Sequence, residues 1–376
     1  MPTHASDLLA EIDRVANDVI APAAARVDAE GEFPRASIDA LAKLGALGIL
    51  SDASVGGLAL GLGVASRAVE RVARACGSTA MIYAMHLCGT AVIEAHGSVE
   101  RRRAVASGAE LTTLAFSEVG SRSMFWAPTS TATAADGGVR LDAKKSWVTS
   151  AHHADTYVWS SRPVAADGPS TIWLVPRTTP GVVVSGGFDG LGLRGNDSCP
   201  VTATGASLPA SARLGADGAG FDVMMGVVLP TFQVLNASCS LGLMNAAIGR
   251  SIAHCTATKF EHTGASLADN PVTRAYLARM KLAADGVATL LADTAAALAE
   301  GRADASLRVL QSKAAAGETA TSVLDLAMRV CGGAAFRKEI GVDRYFRDAR
   351  AASVMAPTTD TLYEFMGRAL CGMPLA

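Results

Sequence analysis

The chain has 376 residues, half of them hydrophobic, with a formal charge of −2, which fits a globular protein with a large core built as one unit or as two to three packed parts. No long block of like charge stands out; the densest basic run, Arg101 to Arg103, adjoins Glu100 and reads as a solvated helix end, so nucleic acid is not an expected partner. Charged residues break up the N-terminal segment, unlike a signal peptide, no uninterrupted apolar run reaches the roughly 18 residues of a membrane span, and the seven scattered cysteines form no CxxC or zinc-spaced set, so a cytoplasmic protein with reduced thiols and no metal site is expected.

Helices come first. Leu8, Leu9, Ile12, Val15, Ala16 and Val19 recur at helical spacing, with Ser6 as the candidate N-cap. Pro34 suits a first helical position, with Ile38, Leu41 and Leu44 on one face before Gly45. Two further helical stretches run near Gly63 to Cys76 and Ser78 to His96. The pattern changes near Leu114, and all four tryptophans lie between there and residue 176. Short β-prone runs follow: Val139 to Leu141 after the Asp136-Gly137-Gly138 turn, Ser146 to Thr149, Thr156 to Ser160, Ile172 to Val175 and Val182 to Val184. These predict antiparallel strands in a small barrel or sandwich. From about Phe221 the helical period returns. Leu277, Met280, Ala284, Val287, Leu291 and Leu298 form one face that ends at Gly301, and Ser306 to Cys331 ends at Gly332-Gly333. Such helices, apolar around much of their girth, need burial on several sides, partly against other subunits.

The local sequences resemble those of acyl-CoA dehydrogenases. Phe116 to Ser123 is similar to the family's TEPxAGSD segment and Lys144 to Ser150 to its GxKxWITN strand. Gly190 to Gly195 resembles the segment before the last barrel strands, and Leu214 to Phe221 the LGxxGxGF lead into the bundle. Cys331-Gly332-Gly333 resembles the GGxG loop, and Arg347 to Arg350 the RDAK run. Six such matches occur in the family's order over nearly the whole chain. The resemblance implies a mainly α protein with a central β-domain: an N-terminal helical domain over 1–113, a middle antiparallel β-barrel over 114–220, and a C-terminal four-helix bundle over 221–376. It also implies FAD.

Residue by residue, the resemblance assigns cofactor binding to Phe116, Ser117, Ser123, Trp147, Val148 and Thr149, with Ser117 and the Trp147–Thr149 strand at the isoalloxazine ring. Trp147 sits where an indole packs on the ring and Thr149 where a hydroxyl reaches N5, which suits a flat face needing one or two positioned donors. Dinucleotide contacts fall on Phe260, Gly332, Gly333, Thr358 and Asp360. The family's RxxFG arginine falls on Ala257, whereas its QxxGG glutamine falls on Arg329, so a phosphate-binding cation has moved helix or Arg329 is a surface residue. Because this fold holds FAD across a subunit boundary, a homodimer or homotetramer is implied.

The usual catalytic carboxylate is absent. The family's common base position is Ala356 here, followed by Pro357, and its minor position is Phe232, next to Gln233 where an arginine near CoA is frequent. Losing a general base typically costs about 10²–10⁴ in rate. Three readings remain: desaturation of an acyl thioester, on CoA or a carrier protein, with a base from elsewhere; a flavin monooxygenase on the same fold; or a silent FAD-binding partner subunit. Electron-transfer flavoprotein or oxygen would accept the electrons. His86, in a helix start that lines the family's substrate channel, is the candidate substitute acid/base; the competing reading is a buried histidine bonded to a carbonyl between helices. His152-His153 reads as a solvated turn rather than a metal site.

Overall fold

The computed structural model describes residues 4–121 and 124–374. The first helices are α1 (Ala5–Val15) and α2 (Ala21–Glu30), joined by a π-helical turn, then α3 (Arg35–Lys43), α4 (Gly61–Ala75), α5 (Gly77–His96) and α6 (Val99–Ala106). Ser6 does not cap α1: the helix starts directly after His4, and the Ser6 hydroxyl bonds Asp7 inside the first turn. Pro34 is the residue before α3 rather than its first. α5 is buried around nearly its whole girth, as its Ala, Met, Ile and Leu content requires. Arg101 and Arg102 of α6 bond Glu110 and Glu94, so the basic run is an ion-paired helix end.

Among the described residues eight strands follow: β1 (Thr112–Ala115), β2 (Thr131–Ala135), β3 (Gly138–Val148), β4 (Thr156–Ser161), β5 (Thr171–Pro176), β6 (Val182–Val184), β7 (Cys199–Pro209) and β8 (Arg213–Leu214). They form two four-stranded sheets, ordered β1-β4-β5-β8 and β2-β3-β7-β6. Pairings are antiparallel except for β1 with β4, which is parallel, a departure from the uniformly antiparallel expectation. A distinct apolar core fills the space between them, with Tyr157, Trp159 and Trp173 fully buried.

The chain then returns to helix: α7 (Gly220–Val223), α8 (Leu229–Ala257), α9 (Pro271–Glu300), α10 (Ala305–Cys331), α11 (Val342–Ala349), α12 (Ala351–Val354) and α13 (Thr359–Leu370). Gly301 and Gly332, both at positive φ, stop α9 and α10 where expected. α4 crosses α8 at Gly242, where a Cβ would lie 2.3 Å from the Glu70 carbonyl oxygen, so only glycine permits that approach. Against the sequence expectation, two helical runs, Gly220–Ala257 and Pro271–Glu300, are long and apolar enough to cross a membrane. The first is mostly buried inside the protein, as a core helix is; the second is covered by the chain on one side only.

One junction ties the three parts together. Arg347 of α11 donates to both carboxylate oxygens of Asp28 on α2, at 2.7 and 2.5 Å. Arg194, between β6 and β7, donates to the Asp28 carbonyl at 2.7 Å. Next to Arg347, the Asp348 carboxylate accepts from the Leu193 amide at 2.6 Å. Burial pushes Asp348 up to about 6.

Candidate functional site

The segment leaving β1 runs antiparallel to the end of β3. Ser146 N–H donates to Ser117 O at 2.9 Å, and Val119 N–H to Lys144 O at 3.3 Å. This pairing sets Ser117 beside Trp147, Val148 and Thr149. Under it lies a buried ion pair: Lys145 bonds Glu118 and donates to Ser160 O at 2.7 Å. Glu118 also accepts from the amide and hydroxyl of Thr129, at 2.5 Å each, and from those of Ser130, at 2.9 and 2.5 Å. These donors hold its carboxyl down to about 2 despite burial.

Between Lys145 and Val148 the β3–β7 register shifts. In that bulge Trp147 takes φ +57° and turns its indole outward, 71% exposed. A left-handed tryptophan is strained, and strain of this kind concentrates where a fold presents a group for use. It has company: of the five non-glycine residues at positive φ among the described residues, four are Trp147, Ser150, Leu193 and Asp197, and Ser150 N–H donates to Asn196 O at 2.9 Å. Thr149 is buried, its hydroxyl 3.4 Å from that of Ser198. Val148 and Phe116 are buried too, so their side chains support the ribbon and Val148 can meet a ligand only through its backbone. Ser123 lies outside the described residues. Past the bulge, His152 Nδ1 lies 2.8 Å from Asp197 Oδ1, and Cys199 Sγ donates to the same oxygen at 3.3 Å. His152, Asp197 and Cys199 thus have metal-compatible spacing. The carboxylate is already used by both neighbours and by the His152 amide, and burial pushes the Cys199 thiol up to about 12, so the trio acts as a turn clamp. Sequence reading saw the histidine pair but not its partners.

The other assigned residues lie elsewhere in the chain. Phe260, half-exposed after α8, stacks edge-on with His262. Arg329, in the last turn of α10, is exposed and lies over the Tyr276 ring at 5.0 Å; Gly332 and Gly333 follow it and are exposed. Among the described residues, no hydrogen bond, ion pair or aromatic contact joins this group to the Ser117–Thr149 ribbon. Thr358 caps α13 through the Thr361 amide, and Asp360 is exposed in its first turn. α13 reaches the β-domain, because Phe365 packs on Trp126 with ring centroids 5.7 Å apart.

His86 is not in a cleft. Its ring is fully buried between α5, the turn before α4 and β1. Nδ1 accepts from the Thr112 amide at 3.2 Å and Nε2 lies 3.2 Å from Leu47 O, which fixes the Nε2–H tautomer. Burial holds it neutral, down to about 4. Its one lone pair, on Nδ1, is taken by the Thr112 amide and its Nε2–H faces the Leu47 carbonyl, so no acceptor is left for a substrate proton; this is the carbonyl-bonded arrangement, and the acid/base assignment is withdrawn.

A different ionisable group occupies the bundle. Lys313 of α10 is 1% exposed and has no acidic partner among the described residues. Its Nζ donates to Met355 O at 3.0 Å and Pro357 O at 2.7 Å, and lies 6.0 Å from the Phe232 ring centroid. Desolvation pulls it down to about 7. On α8, Gln233, next in sequence to Phe232, is fully buried with neither amide atom partnered, and Asn236 donates to Met355 Sδ while its oxygen has no partner. The Thr359 hydroxyl is likewise buried and unpartnered. Buried polar groups are nearly always satisfied, so this concentration marks a place shaped for something else. The signal was present in the sequence: Lys313 is the one charge on a face made by Val309, Leu310, Ala316, Gly317 and Ala320.

Profiles of the acyl-CoA dehydrogenase N-terminal, middle and C-terminal domains match residues 3–108, 113–205 and 218–371. The short-chain specific acyl-CoA dehydrogenase of Bos taurus mitochondria is 30% identical over 350 residues, 90% of this chain and 83% of that protein. The chain belongs to the acyl-CoA dehydrogenase family. Its fold matches butyryl-CoA dehydrogenase from Megasphaera elsdenii with a TM-score of 0.92, 21% identity and 98% of each chain covered. The structure of PigA with FAD and proline also matches, with a TM-score of 0.89, 20% identity, and 99% and 98% coverage.

Within this acyl-CoA dehydrogenase framework, the Ser117–Thr149 ribbon and the Lys313 cluster belong to different domains, and Trp126 against Phe365 is the aromatic contact that brings the β-domain to α13. Ala356 stands between the two carbonyls that Lys313 binds, and Phe232 faces the same amine. Both positions read from the sequence as missing a base therefore surround one lysine.

Proposed function

We propose that this protein binds FAD along the Ser117–Thr149 ribbon and uses it to desaturate an acyl thioester carried by CoA or by a carrier protein. The observation that carries this reading is Trp147, a strained and outward-facing indole backed by Val148 and the Glu118–Lys145 pair. A flat apolar face with adjacent hydroxyls from Ser117 and Thr149 fits an isoalloxazine ring. When bound, the flavin supplies a two-electron acceptor. The chain's part is to hold the ring, orient the thioester and remove a proton. Phe260, Arg329, Gly332 and Gly333 of a second copy would complete the dinucleotide site, and the bare side of α9 supplies a surface for that copy. The acid-free Lys313 favours desaturation over the monooxygenase and silent readings, which need no base for an α-proton.

The purified protein should be yellow, with about one flavin per chain released as FAD rather than FMN on denaturation. Trp147→Ala should release it more readily on dialysis, with secondary structure unchanged. A colourless protein that cannot be reconstituted with FAD refutes the proposal, and a monomer that retains FAD in light scattering refutes the shared site.

A further inference from the structure

Lys313 stands apart from the other buried ionisable groups. Lys145 has Glu118, Arg347 has Asp28, Arg344 has the Tyr345 hydroxyl and the Ala75 carbonyl, and His86 has both nitrogens used. No acid is supplied to Lys313 by the elements around it. α8 carries no charged side chain from Leu229 to Gly249, and the stretch from Ala351 to Thr359 carries none. Of the acids at the ends of these elements, Asp360 and Glu364 are exposed on α13, and Glu318 is exposed further along α10.

The hydrogen-bond geometry fits an uncharged amine. A neutral primary amine has two N–H groups and one lone pair. The two carbonyl oxygens, at 2.7 and 3.0 Å, take the two N–H groups. An ammonium would leave a third N–H facing the bundle with no oxygen to accept it among the described residues, at the cost of burying a charge without a counter-ion. What remains in the neutral form is a lone pair, and the two stretches that contact the amine, α8 and the turn leading into α13, also carry the unpartnered groups of Gln233, Asn236 and Thr359. Two donors and several acceptors without partners on these stretches would suit an occupant that itself carries a carbonyl and a hydrogen to give up.

Building on the reading of an FAD-dependent acyl thioester desaturase, we propose that Lys313 is the general base, replacing from α10 the carboxylate missing at Ala356 and Phe232. In the step, the thioester Cα–H bond breaks and its proton passes to the Lys313 lone pair. The electron pair left on Cα becomes the Cα=Cβ bond as the Cβ hydrogen departs with its pair to the oxidised flavin, which is reduced by two electrons. The Gln233 amide, unpartnered and next in sequence to Phe232, is the candidate to donate to the thioester carbonyl as charge builds there. The carbonyls of Met355 and Pro357 hold the amine and stabilise its protonated form after transfer. A base titrating near neutrality operates at physiological pH, whereas an ordinary lysine would be protonated.

Two measurements on the FAD-loaded protein test this. The first needs no substrate: trace acetic anhydride labelling from pH 5 to 10, with peptide mass spectrometry, reads how readily each lysine loses its proton. Lys313 should be labelled with a midpoint about three pH units below that of exposed lysines such as Lys144. A midpoint above about 9, or no labelling of Lys313 at any pH, overturns the proposal. The second reads proton transfer alone: anaerobic wash-in of deuterium at Cα of butyryl-, octanoyl- and palmitoyl-CoA in heavy water. Lys313→Met and Lys313→Arg should each retain FAD and lose at least about a hundredfold in wash-in for any thioester that the parent exchanges. Arginine keeps N–H donors for the two carbonyls and cannot act as a base, so it separates base from structural support. Wash-in within about threefold of the parent in either variant, or none by the parent with all three thioesters, overturns the assignment. A protein without FAD instead fails the underlying reading, which the labelling result does not depend on.

Discussion

Replacing Glu118 by glutamine removes one charge from a fully enclosed pair while keeping side-chain size. In the native protein the carboxylate takes five donors: the Lys145 ammonium and the amide and hydroxyl of both Thr129 and Ser130. Its pKa falls from the ordinary 4.5 to about 2, which at about 1.36 kcal/mol per unit is about 3 kcal/mol from the carboxylate's side at neutral pH, opposed by the burial that pulls Lys145 down to about 8. A folded-state pKa below the unfolded one means that this stability is fully present above pH 4.5 and disappears as pH falls toward 2. Glutamine turns an NH2 group toward those donors and strands Lys145, a loss of about 3–5 kcal/mol when one partner of a buried pair goes. With an unfolding entropy of about 2.1 cal/mol/K per residue over 376 residues, Tm should drop by about 4–6 °C at pH 7. Thermal unfolding followed by tryptophan emission is a suitable assay, since the Trp159 ring lies 5.1 Å from Lys145 Nζ. The Tm difference between parent and Glu118→Gln should shrink between pH 4.5 and 2. A Tm within 1 °C of the parent at pH 7, with the same acid limb, refutes the account.

His86→Ala should leave the Leu47 carbonyl and Thr112 amide without partners and cost about 2–5 kcal/mol, while turnover per folded molecule of any substrate stays within about threefold. Because the native imidazole stays neutral down to about pH 4 and the unfolded one protonates near 6.5, the parent loses stability as pH falls across that window, and the variant's pH profile there should be flatter. Gly242→Ala should lower stability by about 1–3 kcal/mol, read by urea unfolding, because its methyl would meet the Glu70 carbonyl and the Ala73 methyl; a neutral result would mean that α4 and α8 separate freely.

The helices were legible because their apolar residues repeat with a 3.6-residue period and end at glycine: α9 and α10 stop at Gly301 and Gly332 as expected. β7 was not legible as a strand. Pro200 and Gly205 interrupt it, yet it lies inside its sheet between β3 and β6, which tolerate it through shifts in register. β3 appeared in fragments for the same reason. The Ser117–Trp147–Thr149 ribbon was visible because it is local along two short segments. His86 misled because its residue type suits chemistry, and its partners Leu47 and Thr112 are 39 and 26 residues away, beyond any local pattern. Lys313 was missed for the opposite reason: a lysine in a helix is ordinarily solvated, so its place on an apolar face is a weak signal until the packing of α8 and the 355–357 turn around it is seen.

The Asp28–Arg347 and Leu193–Asp348 bonds have a consequence for how the chain acquires its structure. They span 319 and 155 residues of sequence, so neither can form until the last helices are synthesised. The N-terminal helices leave the ribosome early and must wait with the Asp28 face open while the strands and the long bundle helices follow. Long-range closures carry a large loop entropy and form late. The latch at Arg347 and Asp348 therefore works as a completion check: a chain cut short before α11 keeps its local helices and sheets, and bonds such as Arg194 to Asp28, but lacks the two bonds that close the junction. Such a truncated chain should expose the faces that α2 and the Leu193 turn otherwise bury, making it a ready substrate for chaperones and proteases rather than a working fragment.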